Sequence, residues 1–199
     1  MKDHYSLLAP FYNPLVRLVF GDQLQFSKTC FLRRDRLSNT LIIGGGDGRD
    51  YQAFQRDIQG EYWEISEAMM KRARQNLNGS NLDFKLGYFR YQPQVDFGEI
   101  LLHFVLDTMS DGQIKSLLME VKKCMKPESR IYFADFFAPK KLSQKILNYS
   151  MISFFRIVVG HIRPSLPKYE DIFLECGFRK TSERSFLDGW VKAQVWLAE

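Results

Sequence analysis

Cysteine and histidine are scarce in this sequence, with three of each among 199 residues. Cys30, Cys124 and Cys176 lie far apart and form no C-x-x-C pair, so a disulfide framework is not expected and a reducing cytoplasm fits. His4, His103 and His161 are equally dispersed and no carboxylate cluster has ligand spacing, so no metal is expected. Apolar runs of the roughly 18 uncharged residues that read as a membrane span are missing. The start, Met1 to Tyr5, lacks the charged-then-apolar pattern of a signal peptide. There is no Gly-x-Ser-x-Gly nucleophile elbow, no repeat and no low-complexity segment. The expectation is a cytoplasmic protein without stable membrane insertion.

Neither sign of charge is short. The formal net charge is +5, with 26% charged and 45% hydrophobic residues, which is ordinary globular material. The basic pairs Arg33-Arg34, Lys71-Arg72, Lys122-Lys123 and Lys140-Lys141 sit beside acids or on solvated helix faces, so nucleic acid is not an expected partner. The length suits one domain, residues 1–199.

Glycine, by contrast, is concentrated in one place. The short apolar run Thr40 to Ile43 ends in Gly44-Gly45-Gly46-Asp47-Gly48, and Arg49 to Ile58 is compatible with a helix. This order reads as strand, tight turn and helix, the opening unit of a nucleotide-type α/β fold. Glycines remove Cβ atoms where backbone turns at positive φ or approaches a ligand, and a following helix offers unpaired N–H groups. A dinucleotide fingerprint fits poorly, because Arg49 stands where Gly-x-Gly-x-x-Gly needs its last glycine. No Lys-Ser or Lys-Thr follows, which excludes a P-loop. What remains is a turn suited to a ligand whose near end is a carboxylate. Twenty residues after Gly44, Glu64 follows Tyr62-Trp63 at the tip of a second strand, where a carboxylate can accept both hydroxyls of a ribose.

This combination resembles motif I and the acidic position after it in class I S-adenosylmethionine-dependent methyltransferases, and the similarity runs from Tyr5 to about Phe137. The resemblance implies an α/β fold: a doubly wound, seven-stranded, mostly parallel sheet in the order 3-2-1-4-5-7-6 with helices on both faces. It implies S-adenosyl-L-methionine as cofactor. Gly44, Gly45, Gly46, Asp47 and Gly48 would then take the amino-acid end, Glu64 and Ile65 the ribose, and Tyr88 and Phe89 the adenine, with His103 near the reacting methyl. The opening Tyr5-x-x-x-Ala9-Pro10-x-Tyr12 is similar to methyltransferases that act on quinones and related lipophilic molecules, where this segment closes over the site. Tyr5 and Tyr12 are candidate substrate contacts on that reading, and simple packers of an N-terminal helix on the other. Three positions depart from the family pattern, since Ile42, Tyr88 and Gly98 stand where relatives commonly carry acids.

In order, the chain reads as an N-terminal helical cap segment (1–38) with a helix from Leu15 to Leu37, a nucleoside-binding core (39–137), and lid helices with a C-terminal hairpin (138–199). Core strands are expected over 61–65, 82–88, 98–104 and 130–137. Helices are expected over 67–77, with Ser66 as N-cap, and over 112–125, followed by a turn at Lys126-Pro127-Glu128-Ser129. Residues 139–160 read as a long apolar buried or lid helix, with an interfacial anchor as the alternative. A helix over 168–176 and strands over 178–186 and 190–197 follow.

Methyl transfer from a sulfonium is a direct displacement, and positioning alone can contribute about 7 to 11 kcal/mol. A dedicated base is optional. Where the acceptor must lose a proton, His103 is the first candidate catalytic base, because imidazole titrates near working pH. A packed core histidine is the alternative. Asp107 is a candidate substrate contact or a loop cap, and His161 and His4 are candidates near the mouth. The expected function is methyl transfer to a small, lipophilic acceptor; a non-catalytic ligand-binding protein that keeps the fold is the alternative.

Overall fold

The computed structural model describes residues 22–37, 39–93, 95–139, 141, 142, 144 and 165–199. Among these, β1 (Thr40–Ile43), β2 (Gln59–Glu64), β3 (Asn81–Leu86), β4 (Phe97–His103), β5 (Met125–Phe136), β6 (Phe178–Phe186) and β7 (Val191–Ala198) form one sheet. Its order is β3-β2-β1-β4-β5-β7-β6, as the resemblance implies, and β3 and β6 are its edges. Strands β1 to β5 run parallel, and β7 is antiparallel to both neighbours. The register of β6 shifts between Lys180 and Ser182, which leaves Thr181 as a bulge.

Period-two alternation splits the apolar residues between the two faces. Leu41, Ile43, Ile100, Leu102 and Phe133 join one cluster, while Ile42, Leu101 and Tyr132 join another. Helices α3 (Asp111–Lys123) and α4 (Tyr169–Glu175) cover the first face with Ile114, Leu118, Val121, Ile172 and Phe173. Helix α2 (Glu67–Asn76) covers the second with Met70 and Ala73. Helix α1 (Gln23–Thr29) adds Leu24 to a smaller cluster with Phe136, Trp190 and Val191.

The cap expected at Ser66 is present, its Oγ accepting from the Met69 amide at 3.4 Å. A capping box opens α3: Ser110 Oγ accepts from the Gln113 amide, and Gln113 Oε1 accepts from the Ser110 amide.

Three local expectations are corrected. The helix expected to reach Leu37 ends at Thr29, and a short 3-10 turn, Arg34–Arg36, precedes β1. The segment after the glycines is a six-residue 3-10 helix, Arg49–Phe54, rather than a longer helix to Ile58. Pro127 falls inside β5, whose pairing jumps from Phe97↔Met125 to Glu99↔Arg130. The missing N–H of proline is tolerated at that irregularity. Ser129 fastens it, its Oγ accepting from the Lys126 amide at 2.8 Å and donating to the Phe97 carbonyl at 2.6 Å. Residues 145–160 of the expected helix over 139–160 lie outside the described residues, as do Tyr5, Tyr12, His4 and His161.

Parallel strands bring the carboxyl ends of β1, β2, β4 and β5 to one side. Strand order reverses between β1 and β4, and in open α/β sheets ligands bind at such a switch point.

Candidate functional site

The glycine loop leaves β1 at that switch point. The amide of Gly44 still continues the ladder, donating to the Trp63 carbonyl at 2.8 Å. Beyond it the backbone is held by three side chains. Glu64 Oε2 accepts from the Gly46 amide at 3.0 Å, Tyr62 Oη donates to the Gly46 carbonyl at 2.9 Å, and Asn76 Nδ2 donates to the Asp47 carbonyl at 2.9 Å. Gly46 has φ +65° and open space around it, so its conformation is what calls for glycine. Gly45 is different: a Cβ there would run into the Tyr62 ring.

Glu64 is buried, and its second oxygen, Oε1, accepts from the Ser66 amide at 2.9 Å. One carboxylate thus joins the glycine loop to the start of α2.

On either side of Glu64 the surface is apolar. Ile65 and Tyr88 are exposed, Tyr88 at 61%, together with Leu86, the β3 residue in register with Glu64. Phe89 is buried and packs edge-on against Trp63, ring centroids 5.6 Å apart. Of the two aromatics expected beside the adenine, only Tyr88 presents its ring outward.

His103 ends β4 and is 4% exposed. Its Nδ1 lies 2.9 Å from Tyr51 Oη, with the rings stacked at 27°. Burial first, and then the Lys28 charge, lower its pKa to about 3, against an opposing pull from Asp50. Burial likewise raises Tyr51, so the pair is neutral near neutral pH. As a base, such an imidazole is weak. Lys28 itself bridges α1 to the turn after the glycines, its Nζ 2.6 Å from Asp50 Oδ2. Burial would raise the Asp50 carboxyl, but Lys28 holds it below the usual carboxylate range.

Phe104, the next residue, has φ +52°, a costly setting for a bulky side chain. Its amide is held by the Ala134 carbonyl at 2.8 Å, and its ring stands edge-on to Phe136. The chain then turns through a 3-10 segment, Leu106–Thr108, to Asp107. The Asp107 amide donates to Asp135 Oδ2 at 3.3 Å, and the Phe136 amide donates to Asp135 Oδ1 at 2.8 Å. Asp135 has no exposed surface; burial, with the Asp107 charge, pushes its pKa well up.

The structure therefore gathers Gly44, Gly45, Gly46, Asp47, Gly48, Glu64 and Ile65 at the carboxyl ends of β1 and β2, and sets His103 and Asp107 at the end of β4. Tyr51, Asp135, Lys28 and Asn76 are additions that sequence reasoning missed. For Asp135 a signal existed: a lone acid in the apolar run Tyr132 to Phe137 needs a partner once buried. Nothing local marks Tyr51 or Lys28.

Solved structures share this fold at low sequence identity. Mitomycin 7-O-methyltransferase MmcR is 18% identical, with a TM-score of 0.71 over 92% of this chain and 54% of that one. CalO1, a methyltransferase in calicheamicin biosynthesis solved in its SAH-bound form, is 17% identical, with a TM-score of 0.67 over 96% and 57%. A Haloferax volcanii protein in complex with the Trm112 methyltransferase activator is 14% identical, with a TM-score of 0.74 over 100% and 99%. This chain thus spans about half the length of MmcR and nearly the whole of the Haloferax protein. No family model and no curated protein matches the sequence. The fold is that of class I S-adenosylmethionine-dependent methyltransferases. Among the described residues no helix is long and apolar enough to cross a membrane.

Proposed function

We propose that this chain binds S-adenosyl-L-methionine across the carboxyl ends of β1, β2 and β4 and transfers its methyl group to a small, lipophilic acceptor. The observation that carries this reading is the bond from the Gly46 amide to Glu64. It sets the glycine loop beside a buried carboxylate at the switch point of the sheet. In this reading Gly44 to Gly48 take the amino-acid end of the donor, Glu64 and Ile65 the ribose, and Tyr88 with the Phe89 amide the adenine. The exposed Tyr88 ring offers an aromatic face for the purine.

The sulfonium supplies an activated methyl group, so this chain's residues mainly align acceptor and donor. His103 and Tyr51 form a neutral floor under the reacting atoms, and Asp107 meets the polar end of the acceptor. Tyr5, Tyr12 and His161, outside the described residues, are candidate acceptor contacts on their sequence alone. S-adenosylhomocysteine is the titrant of choice in calorimetry: the wild type binds at micromolar concentration and Glu64→Ala at least about ten-fold more weakly. No wild-type binding at millimolar concentration overturns the proposal.

A non-catalytic ligand-binding protein is the second reading, favoured by the weakness of His103 as a base. Ile42 also fits it, being packed in the core where relatives carry an acid. A transfer assay with quinols and phenols, using a labelled methyl donor, separates the two: turnover establishes the first, and donor binding without turnover on any acceptor establishes the second.

A further inference from the structure

The far end of the sheet holds a second group of polar side chains. An open surface depression of about 200 Å³ there has Arg33, Arg36, Arg130, Tyr132, Thr181 and Ser182 in its lining, together with apolar side chains. Arg130 stands six residues before the end of β5, so the depression is about 20 Å from the donor end at roughly 3.3 Å per residue. Three arginines from two separate parts of the chain line it. Arg33 is paired with Asp35, and Arg130 lies 3.7 Å from Glu99, while Arg36 makes no ion pair among the described residues. The charges of Arg36 and Arg33 both act on the Tyr132 phenol. Glu99 beneath is buried and shared: it lies 3.7 Å from Arg130, and the Arg36 charge acts on it against the upward pull of burial on its carboxyl.

Like charges brought together repel unless an anion offsets them. Arginine forks match the oxygens of a phosphate, two parallel N–H groups to two oxygens. Thr181 Oγ1 is committed to the Val195 carbonyl at 3.1 Å, whereas the Ser182 hydroxyl makes no hydrogen bond among the described residues and can donate. The volume is below the roughly 300 to 1,000 Å³ of pockets that enclose a drug-sized ligand, and suits a compact oxyanion head.

We propose that Arg36, Arg130 and Ser182 form a binding site for a phosphate group, either the free ion or the end of a small phosphate monoester, separate from the donor site. Calorimetric titration of the whole chain with inorganic phosphate at low ionic strength tests it. Wild type binds, and Arg36→Ala weakens binding by about ten-fold or more. Arg130→Lys does the same while keeping a charge beside Glu99, so the loss is not one of folding. Glucose 6-phosphate distinguishes the sources: binding at least as tight as that of phosphate identifies a monoester, and binding of phosphate alone identifies the free ion. The proposal is overturned if wild type does not bind phosphate, if both variants bind it unchanged, or if saturating S-adenosylhomocysteine displaces it, which would put the anion at the glycine loop.

Discussion

The phenol of Tyr51 and the imidazole of His103, 52 positions apart in the chain, form a buried pair 2.9 Å from oxygen to Nδ1. Because the His103 pKa is lowered from 6.5 to about 3, the folded protein binds fewer protons than the unfolded chain between those values. The stability contributed by the neutral ring is present in full above about pH 6.5 and is lost as pH falls towards 3, at up to about 1.4 kcal/mol per pH unit. His103→Gln removes this slope, which urea titrations of both proteins across that range would reveal. Lys28→Met raises the His103 pKa and Asp50→Asn lowers it, as read by NMR titration of the ring.

The glycine loop separates two kinds of glycine requirement. Gly46→Ala meets open space and bears only the left-handed backbone, about 1 to 2 kcal/mol. Gly45→Ala meets the Tyr62 ring and displaces the loop as well, so it costs more by chemical denaturation and also loses donor binding.

Glu64 carries structure as well as the proposed ribose contact. Glu64→Ala leaves the Gly46 and Ser66 amides without their acceptor, about 1 to 3 kcal/mol for each that stays buried. Glu64→Gln keeps one acceptor oxygen. By differential scanning calorimetry the alanine variant melts several degrees below the glutamine variant, at roughly 2 to 4 °C per kcal/mol for a domain of this size.

Asp135 is tested by its neutral isostere. The raised pKa means that the folded state holds a proton the unfolded chain has released, so this residue's contribution is full below about pH 4 and is lost as pH rises through the folded value. Asp135→Asn keeps an oxygen for the neighbouring amides and flattens that dependence, making the variant relatively more stable as pH rises towards neutrality. Asp135→Ala strips both amides of their acceptor and destabilises by about 1 to 3 kcal/mol.

Much of the sheet was legible because its signals are local. The apolar run at Thr40 to Ile43, the Ser66 cap and the strand Phe178 to Phe186 each follow from adjacent residues, and the strand order follows from the resemblance that the glycines and Glu64 carry. The glycine loop and its neighbouring acid could be named for the same reason. What was not legible depends on distant partners. Nothing near Tyr51 says that it meets His103, and nothing near Asp107 says that Asp135 lies beneath its amide. Pro127 reads as a chain-breaking turn until Ser129 and Phe97 are seen to fasten it within a strand. The segment after Gly48 has helical composition but forms a short 3-10 helix, in which Tyr51 is the buried residue.

The open sheet ends on β3 and β6, and each edge bears on how the protein behaves in crowded solution. Along β6, Arg179, Lys180, Glu183 and Arg184 are exposed and the bulge at Thr181 interrupts the ladder. On β3, the exposed Asp83 and the Lys85 ammonium, paired with Glu61, do the same. Docking a second copy edge to edge would desolvate these charges and require a straight partner for a bent strand. The sequence thus guards against growth into an intermolecular sheet at the two places where such growth would begin.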